Sequence, residues 1–394
     1  MNPACHIEVD SAQIRKQGQY ACGDAFLSRR LAEEHRVLCV LADGLGSGIK
    51  ANVLSTLTST LALGCMAGDM PADRTAATLL DSLPVCSRRR IAYSTFSLLD
   101  INHQGQARLI ESDNPPTLFL RGDAPIDPRR TLQTAIPSGA RTREIWIAEP
   151  TLQEGDRLIL FSDGVTQAGM GRAHSPLGWG FDGVTEDILR QLSRTPTLSA
   201  RALARAVVDE ALRRDGGVAR DDMTCAVVYV RHPRELLVVT GPPYSRERDR
   251  LMAESFDRFA GRRVLCGGTT ASLVARELGR AVEVDLSAID PEIPPHSRMP
   301  GADLVTEGTL TLGAVARLLE EPATQDTARD NAALRLFNLM RDSDIIHFLV
   351  GTRINEAHQD PNVPVELDLR RTLVRRIRDR LERTYLKETR VRFL

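Results

Sequence analysis

Four acidic residues stand where the chain enters or leaves an apolar run: Asp24 after Gly23, Asp43 before Gly44, Asp163 before Gly164, and Asp221 before Asp222. Carboxylates are hard oxygen donors, and a neighbouring glycine lets a backbone carbonyl approach the same point. Such a set suits Mg2+ or Mn2+ rather than zinc. Asp-Gly is also a common turn dipeptide, so one such corner alone is equally a plain connection. Four of them together shift that balance. Acidic turns converging on one edge of a sheet would build a two-metal hydrolytic centre from a single chain.

Each acid needs an element to place it. Val37 to Ala42 is an apolar run of strand length that ends at Asp43, and Gly44, Gly46 and Gly48 follow. From Lys50 onward Val53, Leu54, Leu57 and Leu61 recur at a spacing near the helical repeat, which predicts a helix. Arg157 to Phe161 leads into Asp163 in the same strand-then-acid manner, and Cys225 to Val230 follows Asp221, Asp222, Met223 and Thr224.

The order Gly23-Asp24-x-Phe26, Ala42-Asp43-Gly44-x-Gly46-Ser47-Gly48-x-Lys50-Ala51, Phe161-Ser162-Asp163-Gly164 and Asp221-Asp222-Met223-Thr224 resembles the PPM-type (type 2C-like) metal-dependent serine/threonine phosphatases. Gly44 to Ala51 resembles the stage II sporulation protein E branch in particular, as does the Asn114-Pro115-Pro116 connection within Glu111 to Leu118. The resemblance covers about residues 5–232. It implies two stacked sheets flanked by helices, with two Mn2+ or Mg2+ ions at one edge. It also implies that Asp43 bridges the ions and that the Gly44 carbonyl completes one site. Asp163 and Asp221 would hold the more buried ion, with Asp24 acting through its shell or bound water. Within the last motif Asp221 is the ligand and Asp222 its support. Asp24, Asp43, Asp163 and Asp221 are then the catalytic set for direct attack of activated water on a phosphoserine or phosphothreonine, without a phosphoenzyme. Two departures stand out. Arg15 is the nearest counterpart of the arginine that grips phosphate, and no His follows Asp43-Gly44 to serve as general acid.

At 394 residues, two domains are expected. A formal net charge of −1 gives no electrostatic case for nucleic acid or a membrane surface. No apolar run approaches ~18 residues and Met1 to Asp10 lacks a signal-peptide core, so a cytoplasmic location is expected. Seven cysteines without a C-x-x-C pair argue against a disulfide framework or a zinc site. The scattered histidines show no ligand spacing. Lys16, Lys50 and Lys387 are the only lysines, so lysine chemistry has few candidates.

The first domain, residues 1–232, reads as α+β, which the resemblance would make a stacked-sheet sandwich flanked by helices. Strand-like runs lie at Ile7 to Ile14, Asp24 to Ser28, Tyr93 to Asp100, Ala107 to Ser112, Thr117 to Arg121 and Thr142 to Ala148, besides those already named. Helices are expected at Asn52 to Leu63, Ala72 to Leu83, Thr185 to Leu192 and Ala200 to Arg214. A polar break at His232-Pro233 opens a second, smaller α/β domain, 233–394, with a largely parallel sheet. Its strands are expected at Leu236 to Thr240, Arg263 to Cys266, Val282 to Leu286, Ala302 to Val305 and Asp344 to Val350. Gly267, Gly268, Thr269 and Thr270 between a strand and a helix form a candidate site for a small anionic ligand. Such turns equally serve as plain connections between parallel strands. A final amphipathic helix, Glu366 to Tyr385, closes the domain or, alternatively, binds a partner or a second copy as a homodimer. Two functions remain: a phosphoprotein phosphatase of a bacterial signalling pathway regulated by its second domain, or a non-enzymatic phosphoprotein- or anion-binding protein on a vestigial phosphatase fold.

Overall fold

The computed structural model describes residues 5–82, 94–138, 141–172, 175–285, 293–321, 330–353 and 364–394, with the backbone alone at 133–138, 141–143 and 364–368. The chain divides into two units, Met1–His232 and Pro233–Leu394. Leu83, Tyr93 and Leu286, at the limits of expected elements, lie outside the described residues.

In chain order the first unit contains β1 (His6–Ile14), β2 (Asp24–Leu31), β3 (Arg36–Gly44), α1 (Ile49–Ala67), α2 (Ala72–Ser82), β4 (Ser94–Asn102), β5 (Ala107–Ser112), β6 (Leu118–Arg121), β7 (Ala124–Pro125) and β8 (Thr131–Ser138). Then follow β9 (Arg141–Ala148), β10 (Asp156–Phe161), α3 (Asp163–Thr166), α4 (Gly180–Arg194), α5 (Ala200–Arg214) and β11 (Met223–Arg231). Two antiparallel sheets result, β1-β11-β10-β6-β7 and β2-β3-β4-β5-β9-β8. Alternation along each strand explains how they stack, because successive side chains point to opposite faces. Val37, Cys39 and Leu41 of β3 meet Leu158 and Leu160 of β10 and Ala226 and Val228 of β11 between the sheets. The intervening Leu38 and Val40 pack outward under α1 and α2. On the opposite flank Ile159, Phe161, Cys225 and Val227 are covered by α4 and α5. Both faces of the central strands are therefore buried, and their sequences read as continuous apolar runs.

Helix α1 turns a different face inward than its apolar rhythm suggests. Val53 and Leu57 are 57% and 43% exposed, and Ala51, Ser55, Thr58, Ser59 and Ala62 are buried. The small face wins because it permits close approach: a Cβ on Gly44 would lie 2.1 Å from the Ala51 carbonyl oxygen. The buried hydroxyls donate within the helix, Thr58 to Leu54 O at 2.8 Å and Ser59 to Ser55 O at 2.8 Å, so none is stranded.

The second unit contains β12 (Glu235–Thr240), α6 (Asp249–Asp257), β13 (Arg262–Cys266), α7 (Gly268–Leu278), β14 (Glu283–Val284), β15 (Ser297–Arg298), β16 (Leu304–Thr306), α8 (Thr309–Glu320), α9 (Ala332–Arg341), β17 (Ile345–Val350), α10 (Pro364–Tyr385) and β18 (Glu388–Phe393). The sheet order is β14-β15-β16-β13-β12-β17-β18. The five strands β16, β13, β12, β17 and β18 run parallel, and β14 and β15 are short antiparallel additions. Leu236, Val238 and Phe348 pack beneath α8, α9 and α10, where Leu373, Ile377 and Leu381 of the tail helix are buried. Leu237, Val239 and Leu265 pack beneath α6 and α7. Strand β18 was not expected. It pairs with β17 at the sheet edge, and its exposed polar positions at Glu388 and Arg390 hide it from an apolar pattern. Among the described residues no helix is long and apolar enough to cross a membrane.

Candidate active site

Strand register brings the first two acids together. Asp24 of β2 lies directly opposite Asp43 of β3, which in turn lies opposite Thr95 of β4. All three follow the parity of Phe26, Leu41 and Leu99, the residues that face the space between the sheets. From the other sheet, β10 delivers Asp163 as the first residue of α3, and the turn into β11 carries Asp221 and Asp222. Thr224 fastens the two sides across the sandwich. Its hydroxyl donates to Asp24 Oδ2 at 2.7 Å, and its backbone N–H donates to Ser162 Oγ at 3.0 Å. Gln13 Nε2 donates to Thr224 Oγ1 at 3.0 Å and to the Asp24 carbonyl at 3.1 Å.

The glycines beside the acids are explained by close approach rather than by turn geometry. A Cβ on Gly164 would lie 2.1 Å from the Asp222 carbonyl oxygen, and one on Gly23 would lie 2.8 Å from Asp222 Oδ2. With the Gly44–Ala51 contact, these let three backbone segments crowd around the carboxylates.

Crowding is visible in the electrostatics. Burial pushes the Asp43 carboxyl up, and the negative charges of Asp24, Asp163 and Asp221 push it further, to about 9. Burial likewise raises Asp24 to about 7 against the opposing hydrogen bonds from Thr224 and Ser162. Asp163 is raised by burial and then by Asp221. Asp43 and Asp163 adjoin, so a proton on one eases the charge of the other. Cys22 sits against Asp24 and Asp222, and burial plus their charges holds it as a thiol, which removes it as a nucleophile.

Among the described residues no group of three or more carboxylate, imidazole or thiol side chains is gathered tightly enough to hold a metal as it stands. The donor set nevertheless fits a hard cation. Asp24 Oδ1 is buried without a hydrogen-bond partner, and the negative charges of Asp222 and Asp163 bear on the same carboxyl. A divalent ion supplies the positive charge that such a cluster lacks. Asp24 is buried, and Asp43 and Asp163 are half-buried. The Asp221 side chain is 43% exposed at the mouth of the set.

Asp221 and Asp222 diverge, as neighbours on an extended segment do. Asp222 is buried and accepts the Lys16 backbone N–H at 2.8 Å, whereas Asp221 faces the Lys16 ammonium at 3.4 Å. Arg15 points away and donates to the Tyr20 carbonyl at 3.2 Å. The cation at the cluster is therefore Lys16, which sequence reasoning passed over although it is one of only three lysines. Thr95 was also missed, and Thr224 and Asn114 stand in the quoted motifs with no role assigned to them. Asn114 accepts from the Thr95 hydroxyl and donates to Ser97 Oγ at 3.1 Å, so the Asn-Pro-Pro segment braces β4 beside Asp43.

In the second unit, Gly267 has φ 130° and precedes α7, with Gly268 and Thr269 open to solvent and Thr270 buried. A Cβ on Gly308 would lie 3.5 Å from Gly267 Cα, so the turns after β13 and β16 adjoin. The turns after β12 and β17 adjoin likewise, since a Cβ on Gly351 would lie 2.1 Å from the Pro242 carbonyl oxygen.

Comparison with known proteins bears on the first unit. Over 228 residues the chain is 23% identical to Stage II sporulation protein E of Bacillus subtilis (strain 168), covering 57% of this chain and 26% of that protein. It is 22% identical to Stage II sporulation protein E of Priestia megaterium, covering 57% of this chain and 37% of the relative. The chain thus spans well under half the length of these relatives. A stretch of 56 residues is 39% identical to the phosphoserine phosphatase RsbX of Bacillus subtilis (strain 168), 14% of this chain and 27% of that one. A solved structure of the PP2C phosphatase domain and part of the regulatory domain of SpoIIE from Bacillus subtilis superposes with a TM-score of 0.47 at 22% identity, covering 58% of this chain and 64% of that one. Residues 33–231, half of the chain, match the family model for Stage II sporulation protein E (SpoIIE), and the chain belongs to that family, with a PPM-type phosphatase domain as its first unit.

Proposed function

We propose that the protein is a metal-dependent phosphatase acting on phosphoserine or phosphothreonine in proteins. The observation that carries this reading is the convergence of Asp24, Asp43 and Asp163, with Asp221 at the rim, around the orphaned Asp24 Oδ1. Two Mn2+ or Mg2+ ions, when bound, would supply an acidic water as nucleophile and charge to neutralise phosphoryl oxygens. The chain's own residues do the rest. Asp43, Asp163, Asp24 and Asp221 would hold the ions, with the Gly44 carbonyl beside Asp43. Thr224 and Gln13 fix Asp24, and Asn114 and Thr95 brace the strand next to Asp43. Lys16, at the exposed rim, is placed to take a phosphoryl oxygen where Arg15 is not.

A non-enzymatic role on a vestigial fold is the competing reading. Mutually repelling buried carboxylates are costly to keep, and that cost speaks for a working centre. Hydrolysis of p-nitrophenyl phosphate by the full chain in Mn2+, and its loss in EDTA, is the expected result. No turnover at any Mn2+ concentration would favour the binding protein.

For the second unit we propose regulation of the first, by a small anion bound near Gly267 to Thr270. Support comes from the adjoining amino termini of α7 and α8, where the helix dipoles favour negative charge.

A further inference from the structure

We infer that Lys16 is a built-in counter-cation of the carboxylate cluster, holding Asp221 until a divalent ion displaces it; the inference rests on the phosphatase reading above. Lys16 Nζ lies 3.4 Å from Asp221 Oδ1, and among the described residues it is the one cationic side chain in salt-bridge range of Asp24, Asp43, Asp163 or Asp221. Its position is fixed by its backbone rather than its side chain. The Lys16 N–H is held by buried Asp222 Oδ1 at 2.8 Å, and the next residue is tied down by Gln17 N–H donating to the Ala219 carbonyl at 3.0 Å. The same turn that presents Asp221 therefore anchors the residue that neutralises it.

The residue type matters. Lys+Arg number 51 in this chain and only three are lysines, yet the cation at this rim is a lysine. A guanidinium grips a carboxylate with a rigid, two-pronged fork, whereas an ammonium is a compact charge on a flexible stem. Lys16 can hold Asp221 loosely and swing clear. With side chains 34% and 43% exposed, the pair is reachable by water and by an entering ion. A divalent ion reaching Asp221 must first break this pair and then sit near a positive charge. Asp24, Asp43 and Asp163 carry no such partner, so they load first and the Asp221 side of the centre loads second and more weakly. Lys16 thereby sets the metal concentration at which the full centre assembles.

The test is calorimetric titration of metal-stripped full-length protein with Mn2+, comparing wild type, Lys16→Met and Lys16→Arg, with circular dichroism to establish that each variant is folded. Lys16→Met keeps the aliphatic stem and removes the charge. It should tighten the weaker Mn2+ site about two- to fivefold, the range expected for loss of an exposed ion pair. Lys16→Arg should bind no more tightly than wild type. The gap between wild type and Lys16→Met should narrow as NaCl is raised, because exposed charge interactions are screened. Unchanged or weaker Mn2+ binding by folded Lys16→Met overturns the inference and leaves the phosphatase reading in place. A wild-type protein that binds no Mn2+ at all overturns both.

Discussion

Asp43→Asn should stabilise the metal-free protein, and the size of the effect follows from the crowding of the acids. In the folded first unit the Asp43 carboxyl titrates at about 9, against 3.8 when free of the fold. Because the folded value is the higher, its contribution to stability is complete below about pH 3.8 and disappears as pH rises through about 9. At about pH 7.5 the unfolded chain ionises Asp43 freely while the folded one keeps it protonated, a penalty of about 5 kcal/mol before screening. Asp43 is partly exposed, and solvent screening brings the figure to about 2–3 kcal/mol. For a unit of this size that corresponds to roughly 5–10 °C in Tm. Asparagine keeps the shape without the charge. Differential scanning fluorimetry in EDTA from about pH 5 to 9 should show wild-type Tm falling with pH more steeply than that of Asp43→Asn, which keeps the raised carboxyls of Asp24 and Asp163, the two diverging most at the alkaline end. Mn2+ should reverse the ranking at high pH by stabilising wild type alone. A wild-type Tm that does not fall with pH, or an Asn variant less stable than wild type in EDTA, would refute the account of the cluster as mutually repelling carboxylates.

Asp163→Asn should abolish p-nitrophenyl phosphate turnover and weaken Mn2+ binding with circular dichroism unchanged; near-normal kcat would count against the site. Asp222→Asn should keep activity to within about tenfold, since an amide oxygen can still accept the Lys16 N–H, and Asp221→Asn should lose more; the opposite ranking in steady-state assays would reverse their roles. Gly44→Ala should cost about 3 kcal/mol in urea unfolding, because a Cβ 2.1 Å from the Ala51 carbonyl oxygen forces α1 away from β3. Removal of residues 233–394 should change kcat for both a short phosphopeptide and p-nitrophenyl phosphate at saturating Mn2+; unchanged kinetics on both would restrict the second unit to recruiting substrate.

What the sequence makes legible are elements whose both faces are apolar and whose ends are marked chemically. Val37 to Ala42 announces β3 because each side chain is buried on one face or the other, and Asp43 marks its end. Asp24, Asp43 and Asp163 can be picked out because each sits at such an end beside a glycine. Lys16 and Thr224 could not, because their roles depend on contacts 205 and 200 residues away in the chain. Strand β18 was missed for a related reason. Its partner is β17, and an edge strand exposed in part carries charged residues that no local pattern separates from a tail.

Helix α1 shows how the same chemistry constrains both fold and site. Ile49, Val53 and Leu57 lie outward, and a face of alanine, serine and threonine lies against β2, β3 and β4. A face of leucines there would hold the helix off by the thickness of a side chain, and Gly44 would have no reason to be glycine. The small face brings Ala51 onto Gly44 and lets Asn52 Nδ2 donate to the Cys22 carbonyl at 2.8 Å. The first turn of α1 thus touches the residue after Asp43 and the second residue before Asp24. Two of the four acids are positioned by one helical turn, so the register of that turn and the geometry of the carboxylates are a single mechanical quantity. The hydrophobic term favours turning Val53 and Leu57 inward, and close packing at Gly44 overrides it.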